Sequence, residues 1–308
     1  MTLGSFHEGE LAAQELAGVQ LQGAAIREEM PDQHRSFFTL LPFLPIAAVD
    51  PAGWPAATIL TGPPGFITSP DPRTLEIGST AAPNDPAATS FRPGARIGAL
   101  GIDLATRRRN RVNGRITDVG TGGLTIAVEQ SFGNCPQYIQ ARELNPAPPA
   151  ELPGGPAENL VALDAEAAGL IRAADTFFVA STSGERAQRA GGVDISHRGG
   201  RPGFVRVDGE TLTIPDFRGN RYFNTLGNFL LCPRAALVFV DFARGDLLHL
   251  SGEVEVAWSS TEAARFQGAE RLWRVRVSHG WRRRGALSLR WSLRGYAPTT
   301  ERTGSWAA

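Results

Sequence analysis

An internal repeat constrains the fold of this 308-residue chain more than any other feature of its sequence. Residues 62–66 read Gly-Pro-Pro-Gly-Phe, and residues 200–204 read Gly-Arg-Pro-Gly-Phe, 138 positions later. Further matches follow in the same order, and they pair Thr74 with Thr211, Asp103 with Asp241 and Gly114 with Gly252. Matching segments in one order at a nearly constant separation indicate that one structural unit occurs twice.

The composition favours short elements joined by many turns. The chain contains 35 Gly and 22 Pro, and its apolar residues fall in short runs that alternate with turn residues. Such a pattern is typical of antiparallel strands with few helices. The sequence therefore predicts a mainly β fold with peripheral helices, in which each copy of the repeat forms a small barrel.

Helix and linker signals divide the chain into four parts. Apolar spacing predicts helices over residues 7–30, 33–41 and 136–144, and a strand over residues 44–49. Residues 145–156 are rich in proline, which is typical of a stiff, extended linker. The predicted parts are an N-terminal helical extension (1–35), a first, degenerate barrel (36–145), a Pro-rich linker (146–157) and a second barrel (158–308).

Several classes of function are disfavoured by what the sequence lacks. All 31 basic residues are arginine, so neither a lysine Schiff base nor a lysine-dependent phosphate loop can form. The formal net charge is zero, which gives no sign of a nucleic-acid partner. Cys135 and Cys232 have no metal-ligand spacing, and no metal site is predicted. No signal peptide or membrane span is recognisable, so a cytoplasmic location is expected.

One polar stretch precedes the longest buried strand of the second half. Arginine and asparagine side chains cluster there around the start of a short helix, at Arg218, Asn220, Arg221, Asn224 and Asn228. Guanidinium groups and unpaired N–H groups at a helix N-terminus favour bound anions. The same residues could instead cap the helix and solvate its surface.

At this point the chain resembles the pyridoxamine 5′-phosphate oxidase-like, FMN-binding split-barrel superfamily. The second half carries Asp-Ile-Ser-His-Arg-Gly-Gly-Arg-Pro-Gly-Phe-Val at 194–205 and Pro-Asp-Phe-Arg-Gly-Asn-Arg at 215–221. It continues with Leu-Gly-Asn at 226–228 and Pro-Arg-Ala-Ala-Leu-Val-Phe at 233–239. The matching pieces of the first half are residues 102–114 and 134–140.

The resemblance implies two tandem split β-barrels with FMN bound where they meet. It also implies an FMN-dependent oxidoreductase whose substrate and electron donor are unknown, and a possible homodimer. The alternative is a non-catalytic carrier or sensor of the same fold that binds flavin or haem. No membrane partner is expected.

The chain departs from the oxidases of this superfamily in two places. Asn224 and Thr225 stand where the family has an Arg-Lys pair for the FMN phosphate, so the resemblance transfers that role to Asn220, Arg221 and Asn224. The family's C-terminal Arg-x-His motif is missing around His279. Oxidation of pyridoxamine phosphate is therefore not expected.

The candidate site combines residues from both halves. In the second half the cofactor-binding candidates are Ser196, His197, Arg198, Arg201, Pro202, Arg218, Asn220, Arg221 and Asn224. The first half adds Arg108 and Arg109, on an arginine-rich hairpin that could equally be a solvated turn. His197 and Arg201 are the catalytic candidates. Arg201 could stabilise negative charge on the flavin, or it could pair with Asp194 or Asp216 and only stiffen its loop.

Overall fold

A computed structural model describes residues 5–21, 23–145, 155–184, 187 and 191–306. The helices are α1 (Glu8–Leu16), α2 (Asp32–Phe38), α3 (Ala165–Ala173), α4 (Asn224–Leu231), α5 (Thr261–Arg265) and α6 (Pro298–Glu301). A 3-10 helix covers Pro86–Ser90. Most of the predicted linker, residues 146–154, lies outside the described residues.

The described residues form seventeen strands. In the first half these are β1 (Phe43–Val49), β2 (Pro55–Thr61), β3 (Ile67–Thr68), β4 (Thr74–Ile77), β5 (Arg96–Asp103), β6 (Arg108–Gly120), β7 (Gly123–Asn134) and β8 (Ala141–Leu144). In the second half they are β9 (Glu158–Leu160), β10 (Thr176–Thr182), β11 (Val193–Gly199), β12 (Arg206–Asp208), β13 (Thr211–Phe217), β14 (Arg234–Asp241), β15 (Asp246–Ala257), β16 (Ala269–Arg283) and β17 (Trp291–Gly295).

The two halves form sheets with the same strand order. The first sheet runs β2-β1-β5-β6-β7-β4-β3, and the second runs β11-β10-β14-β15-β16-β13-β12. The strand β9 is added to β16, and β8 pairs with β17 in a separate two-stranded ribbon. All pairings between the described strands are antiparallel. The predicted fold class, mainly β with peripheral helices, is confirmed.

The repeated Gly-x-Pro-Gly-Phe turn has the same physical basis in both halves. A Cβ atom on Gly62 would lie 2.4 Å from the ring of Phe66, and one on Gly200 would lie 2.4 Å from the ring of Phe204. The phenylalanine therefore packs directly against the glycine backbone four residues earlier. Because both rings are buried, only glycine fits at the first position of either turn.

Three hydrophobic clusters hold the sheets together. One belongs mainly to the first half and one mainly to the second. The third joins the halves, since it packs Phe43 and Leu100 of the first sheet with Phe178 and Leu247 of the second. This shared core fixes the position of one sheet against the other and so determines what lies between them.

Two predicted helices differ from the structure. The helix predicted over residues 7–30 ends at Leu16, because Gly18 adopts a left-handed φ of 64° and closes the helix C-terminus. No helix forms over residues 136–144, where the left-handed φ of Tyr138 (62°) interrupts the chain and β8 then pairs with β17. The helix predicted at 33–41 and the strand predicted at 44–49 correspond to α2 and β1.

Helix α1 covers α4, which lies in the second half. The two helices meet at glycines, since a Cβ on Gly9 would lie 2.3 Å from the carbonyl oxygen of Gly227. A Cβ on Gly227 would lie 2.6 Å from Cα of Glu10. Among the described residues, no helix has the length and hydropathy that crossing a membrane requires.

We expect Gly227→Ala to lower the free energy of unfolding by about 1–3 kcal/mol, because the added methyl group collides with the backbone of α1. Gly169→Ala is the matched control: Gly169 is also helical, but nothing lies within 4 Å of its Cβ position. Alanine should stabilise that site by up to about 1 kcal/mol. Urea denaturation measures both changes, and a neutral Gly227→Ala would show that the helices do not cross at this glycine.

Candidate functional site

A cavity of about 110 Å³ lies between the two halves and opens to solvent. The first half contributes part of β6, the end of β7 and the loop that follows β7. The second half contributes the end of β11, the segment that joins β13 to α4, and the start of β16. The cavity therefore requires both copies of the repeat.

Five arginines line this cavity, and four of them are paired with carboxylates. Arg111 Nη1 is 2.8 Å from Asp194 Oδ1. Asp216 lies between Arg198 and Arg271, with its carboxylate oxygens 2.7 and 2.5 Å from their Nη1 atoms. The five arginines are Arg109, Arg111, Arg198, Arg221 (paired with Glu270 at 3.7 Å) and Arg271.

Arg109 is the exception, because no carboxylate pairs with it in the part of the chain that the structure describes. Its Nε donates to the carbonyl oxygen of Cys135 at 2.8 Å, and its Nη1 is 3.2 Å from His197 Nδ1. Burial, with the charge of Arg111 as the next cause, lowers the pKa of Arg109 to about 10, so the guanidinium remains charged at neutral pH. The side chain is partly buried. A cation withdrawn from water without a counter-charge is costly, and an anionic ligand would supply one.

The start of α4 lines the same cavity. Among the described residues no side chain caps this helix, and its N-cap residue Phe223 has a left-handed φ of 60°. Arg221 and Tyr138 are also left-handed, each with φ of 62°. Three of the four non-glycine residues with such a φ in the described chain therefore border one cavity. Each costs about 1–3 kcal/mol, and strain of this kind concentrates at functional sites.

A buried polar network beside the cavity joins the two halves. Asp194 is 5% exposed and accepts hydrogen bonds from Arg111 and from Asn113 Nδ2 (2.9 Å), both in the first half. Its other oxygen accepts from Asn228 Nδ2 of α4 at 2.9 Å. Ser196 Oγ accepts from Arg111 Nη2 at 2.5 Å. The network fixes Arg111 and the start of α4 relative to each other.

The repeat creates a second, equivalent position between the sheets, where the arginine has been lost. Leu247 corresponds to Arg109 at the separation of 138 residues, and it is fully buried. Its partner in register on β16 is Arg283, whose guanidinium is held by the buried Asp85 at 2.8 Å. An ion pair within the protein thus lies beside this position, whereas Arg109 has no carboxylate partner among the described residues.

Seven of the predicted site residues line the cavity: Ser196, His197, Arg198, Asn220, Arg221, Asn224 and Arg109. Two of the amides already have partners. Asn224 Nδ2 donates to Glu10 Oε1 of α1, and Asn220 Oδ1 accepts from the N–H of Tyr222 at 3.2 Å. The predicted phosphate donors are therefore present, but the strongest free donor at the cavity is Arg109.

Four of the predicted site residues do not line the cavity. Arg108 points away from Arg109, donates to Gln33 O at 2.9 Å and lies over the ring of Phe37. Arg201 and Pro202 are exposed in the turn after β11, and Arg218 is exposed as well. Arg201 has neither of its predicted carboxylate partners, because Asp194 and Asp216 bind other arginines. Arg201 therefore lies outside this cavity, and its catalytic role stays a prediction.

The sequence did hold a signal for one lining residue that was missed, Arg111. Side chains alternate along a strand, so Arg109 and Arg111 of β6 lie on one face and Arg108 on the other. A period of two residues along β6 selects Arg109 and Arg111, instead of the neighbouring residues Arg108 and Arg109. Arg271 and Asp216 could not be found in this way, because they meet only through the pairing of β13 with β16.

The pKa of Glu10 predicts how stability changes with pH. Burial, and next the charge of Asp194, raises it from 4.5 to about 8, so folding disfavours the ionised form. Stability should therefore fall as pH rises from about 4.5 to 8, by at most about 1.4 kcal/mol per pH unit. Glu10→Gln should remove this decline. Free energies of unfolding measured at about pH 5 and 8.5 test this prediction, and the exposed Glu15→Gln is the control. A pH dependence that is unchanged in Glu10→Gln would refute the raised pKa of Glu10.

Comparisons with known proteins give fold-level similarities only. No family model matches the chain, and no curated protein matches it. A HupZ variant of Group A Streptococcus aligns with 16% identity over 39% of this chain and 98% of its own (TM-score 0.31). A pyridoxamine 5′-phosphate oxidase candidate of Lactobacillus delbrueckii aligns with 15% identity over 34% and 95% (TM-score 0.28). A candidate 5-nitroimidazole resistance protein of Bacteroides thetaiotaomicron aligns with 14% identity over 48% and 99% (TM-score 0.31). At such TM-scores these similarities carry no information about a ligand or a reaction.

Proposed function

We propose that the cavity between the two halves binds the phosphate group of FMN and that the protein is a flavin-dependent oxidoreductase. The observation that carries this proposal is the partly buried guanidinium of Arg109, which lies at the cavity without a carboxylate partner among the described residues. An anionic ligand would supply the counter-charge that the described residues do not.

The surrounding donors fit a phosphate monoester. Guanidinium groups bind phosphate oxygens through charge-assisted hydrogen bonds. The uncapped start of α4 adds N–H groups and the favourable end of a helix dipole. Hydroxyl groups of Ser196 and Thr225 lie 3.0 Å apart at the cavity wall. Because the chain has no lysine, arginine must carry the charge of such a site.

The size of the cavity fits one end of the ligand. Pockets for small molecules usually hold about 300–1,000 Å³, whereas about 110 Å³ is open here. That volume accommodates a phosphate group, and the remainder of the flavin would reach toward solvent or displace lining side chains. Binding is therefore expected to move side chains at the cavity mouth.

Bound flavin would supply hydride or electron transfer. The protein would then have to hold the phosphate, orient the ring and limit the access of water. Arg109 and the start of α4 are placed for the first task, and His197 adjoins them. These three tasks require no lysine, metal or nucleophilic cysteine.

An absorption spectrum tests the proposal. Protein purified with added FMN should retain the flavin bands after desalting, and a reduced nicotinamide donor or dithionite should bleach them. A Soret band after incubation with haem, without flavin retention, would instead favour a haem carrier. Retention of neither chromophore would contradict the proposed function.

A further inference from the structure

His197 adjoins the unpaired arginine, and its two ring nitrogens have different surroundings. The residue lies on β11, is 6% exposed and lines the cavity. Its Nδ1 faces Arg109 Nη1 at 3.2 Å. Its Nε2 is buried and has no hydrogen-bond partner among the described residues. An inference about this residue rests on the proposed function of the same cavity.

The contact with Arg109 decides which nitrogen carries the proton. A guanidinium has only donors, so Nδ1 must be the acceptor in this hydrogen bond. In a neutral imidazole the proton is then on Nε2. Arg109 thus fixes one tautomer and leaves a buried Nε2–H without a partner among the described residues, on a side chain that lines the cavity.

Every charged group near the ring disfavours a second proton. Burial is the main cause that holds the pKa of His197 well below its usual range, and the charges of Arg109, Arg142 and Arg198 add to it. Phe178 packs edge-on against the ring at 6.0 Å and contributes no charge. The imidazole therefore stays neutral across the physiological pH range, and it can donate a hydrogen bond without serving as an acid.

We propose that His197 is a ligand-binding residue that donates its Nε2–H to an acceptor oxygen of the bound cofactor, and that Arg109 is the positioning residue that fixes this tautomer. A buried N–H without a partner is costly. A ligand that supplies the acceptor is therefore expected to bind about tenfold more tightly than one that lacks it, so His197 sets specificity. The acceptor is either a phosphate oxygen or a carbonyl oxygen of the flavin ring.

Nitrogen NMR of the histidine rings tests the tautomer without any flavin. In wild-type protein His197 should show a protonated Nε2 and an unprotonated Nδ1 at every pH between about 6 and 8. In Arg109→Met the ring should lose this fixed tautomer. A protonated Nδ1 in the wild type, or titration within that pH range, would overturn the assignment.

Binding to variants tests the donor. His197→Leu removes the N–H, and we expect it to weaken binding about tenfold, whereas His197→Gln offers an amide N–H and should restore most of the loss. The exposed His279→Leu is the matched control and should bind as the wild type does. Equal affinity of the leucine and glutamine variants would overturn the donor role.

Three probes locate the acceptor and separate the two proposals. A loss in His197→Leu for FMN and inorganic phosphate, but not riboflavin, identifies a phosphate oxygen; a loss for FMN and riboflavin, but not phosphate, identifies a ring oxygen. If the wild type binds inorganic phosphate but not FMN, the flavin function fails and the donor role is judged on phosphate alone. If it binds none of the probes, both proposals fail.

Discussion

Replacement of Arg109 by methionine is expected to weaken FMN binding by about 100-fold or more without lowering the stability of the ligand-free protein. Each hydrogen bond between a charged donor and phosphate contributes about 1.5–3 kcal/mol, and 1.4 kcal/mol corresponds to a factor of ten. Two such bonds give the expected loss. The fold should be equally stable or more stable, because the substitution removes a partly buried charge that has no counter-charge among the described residues.

Arg108→Met is the matched control. It removes the same side chain from the neighbouring position of β6, but Arg108 faces Gln33 and Phe37 on the other side of the strand. FMN affinity should stay within about twofold of the wild type. Titration calorimetry and urea denaturation measure the two quantities. An Arg109→Met protein that binds FMN as tightly as the wild type, or that unfolds far more easily, would show that the arginine is structural.

The Asp194→Ala variant is expected to lose about 3–5 kcal/mol of unfolding free energy. The substitution leaves Arg111 buried without a counter-charge and removes the acceptor for Asn113 and Asn228, which belong to different halves. Denaturation in urea measures the loss. Much of the stability should return when Arg111→Leu is added, because the second substitution removes the buried guanidinium that had lost its counter-charge.

Glu253→Ala provides the comparison for an ion pair outside the network. Glu253 pairs with Arg276 on the outer surface, where both side chains are more than half exposed. Removing that pair should change stability by less than about 1 kcal/mol. A loss of similar size in Asp194→Ala would mean that the polar network does not hold the halves together.

The repeat was the part of the fold that the sequence could predict. Gly62 and Gly200 each lie under a phenylalanine ring, so the same local packing requires the same residues in both copies. The equal strand order of the two sheets agrees with that pattern. This local packing can be recognised in the sequence, because each glycine and the phenylalanine that covers it are only four positions apart.

Tertiary contacts could not be predicted from the sequence, because they join residues that are far apart in the chain. Helix α1 packs on α4 more than 200 residues away through Gly9 and Gly227, and no local pattern links these glycines. Tyr138 gave no sign of its left-handed backbone, because a non-glycine residue rarely adopts a positive φ. Arg201 was chosen for its place in a motif, whereas the direction of its side chain depends on how the turn leaves the sheet.

The comparison of FMN with riboflavin tests the central claim most directly, because the two ligands differ only in the phosphate group. Titration of the wild-type protein with each ligand, under one buffer and salt concentration, yields the contribution of that group. If the cavity holds the phosphate beside Arg109, FMN should bind at least about 100-fold more tightly than riboflavin. Equal affinities for the two flavins would contradict the account.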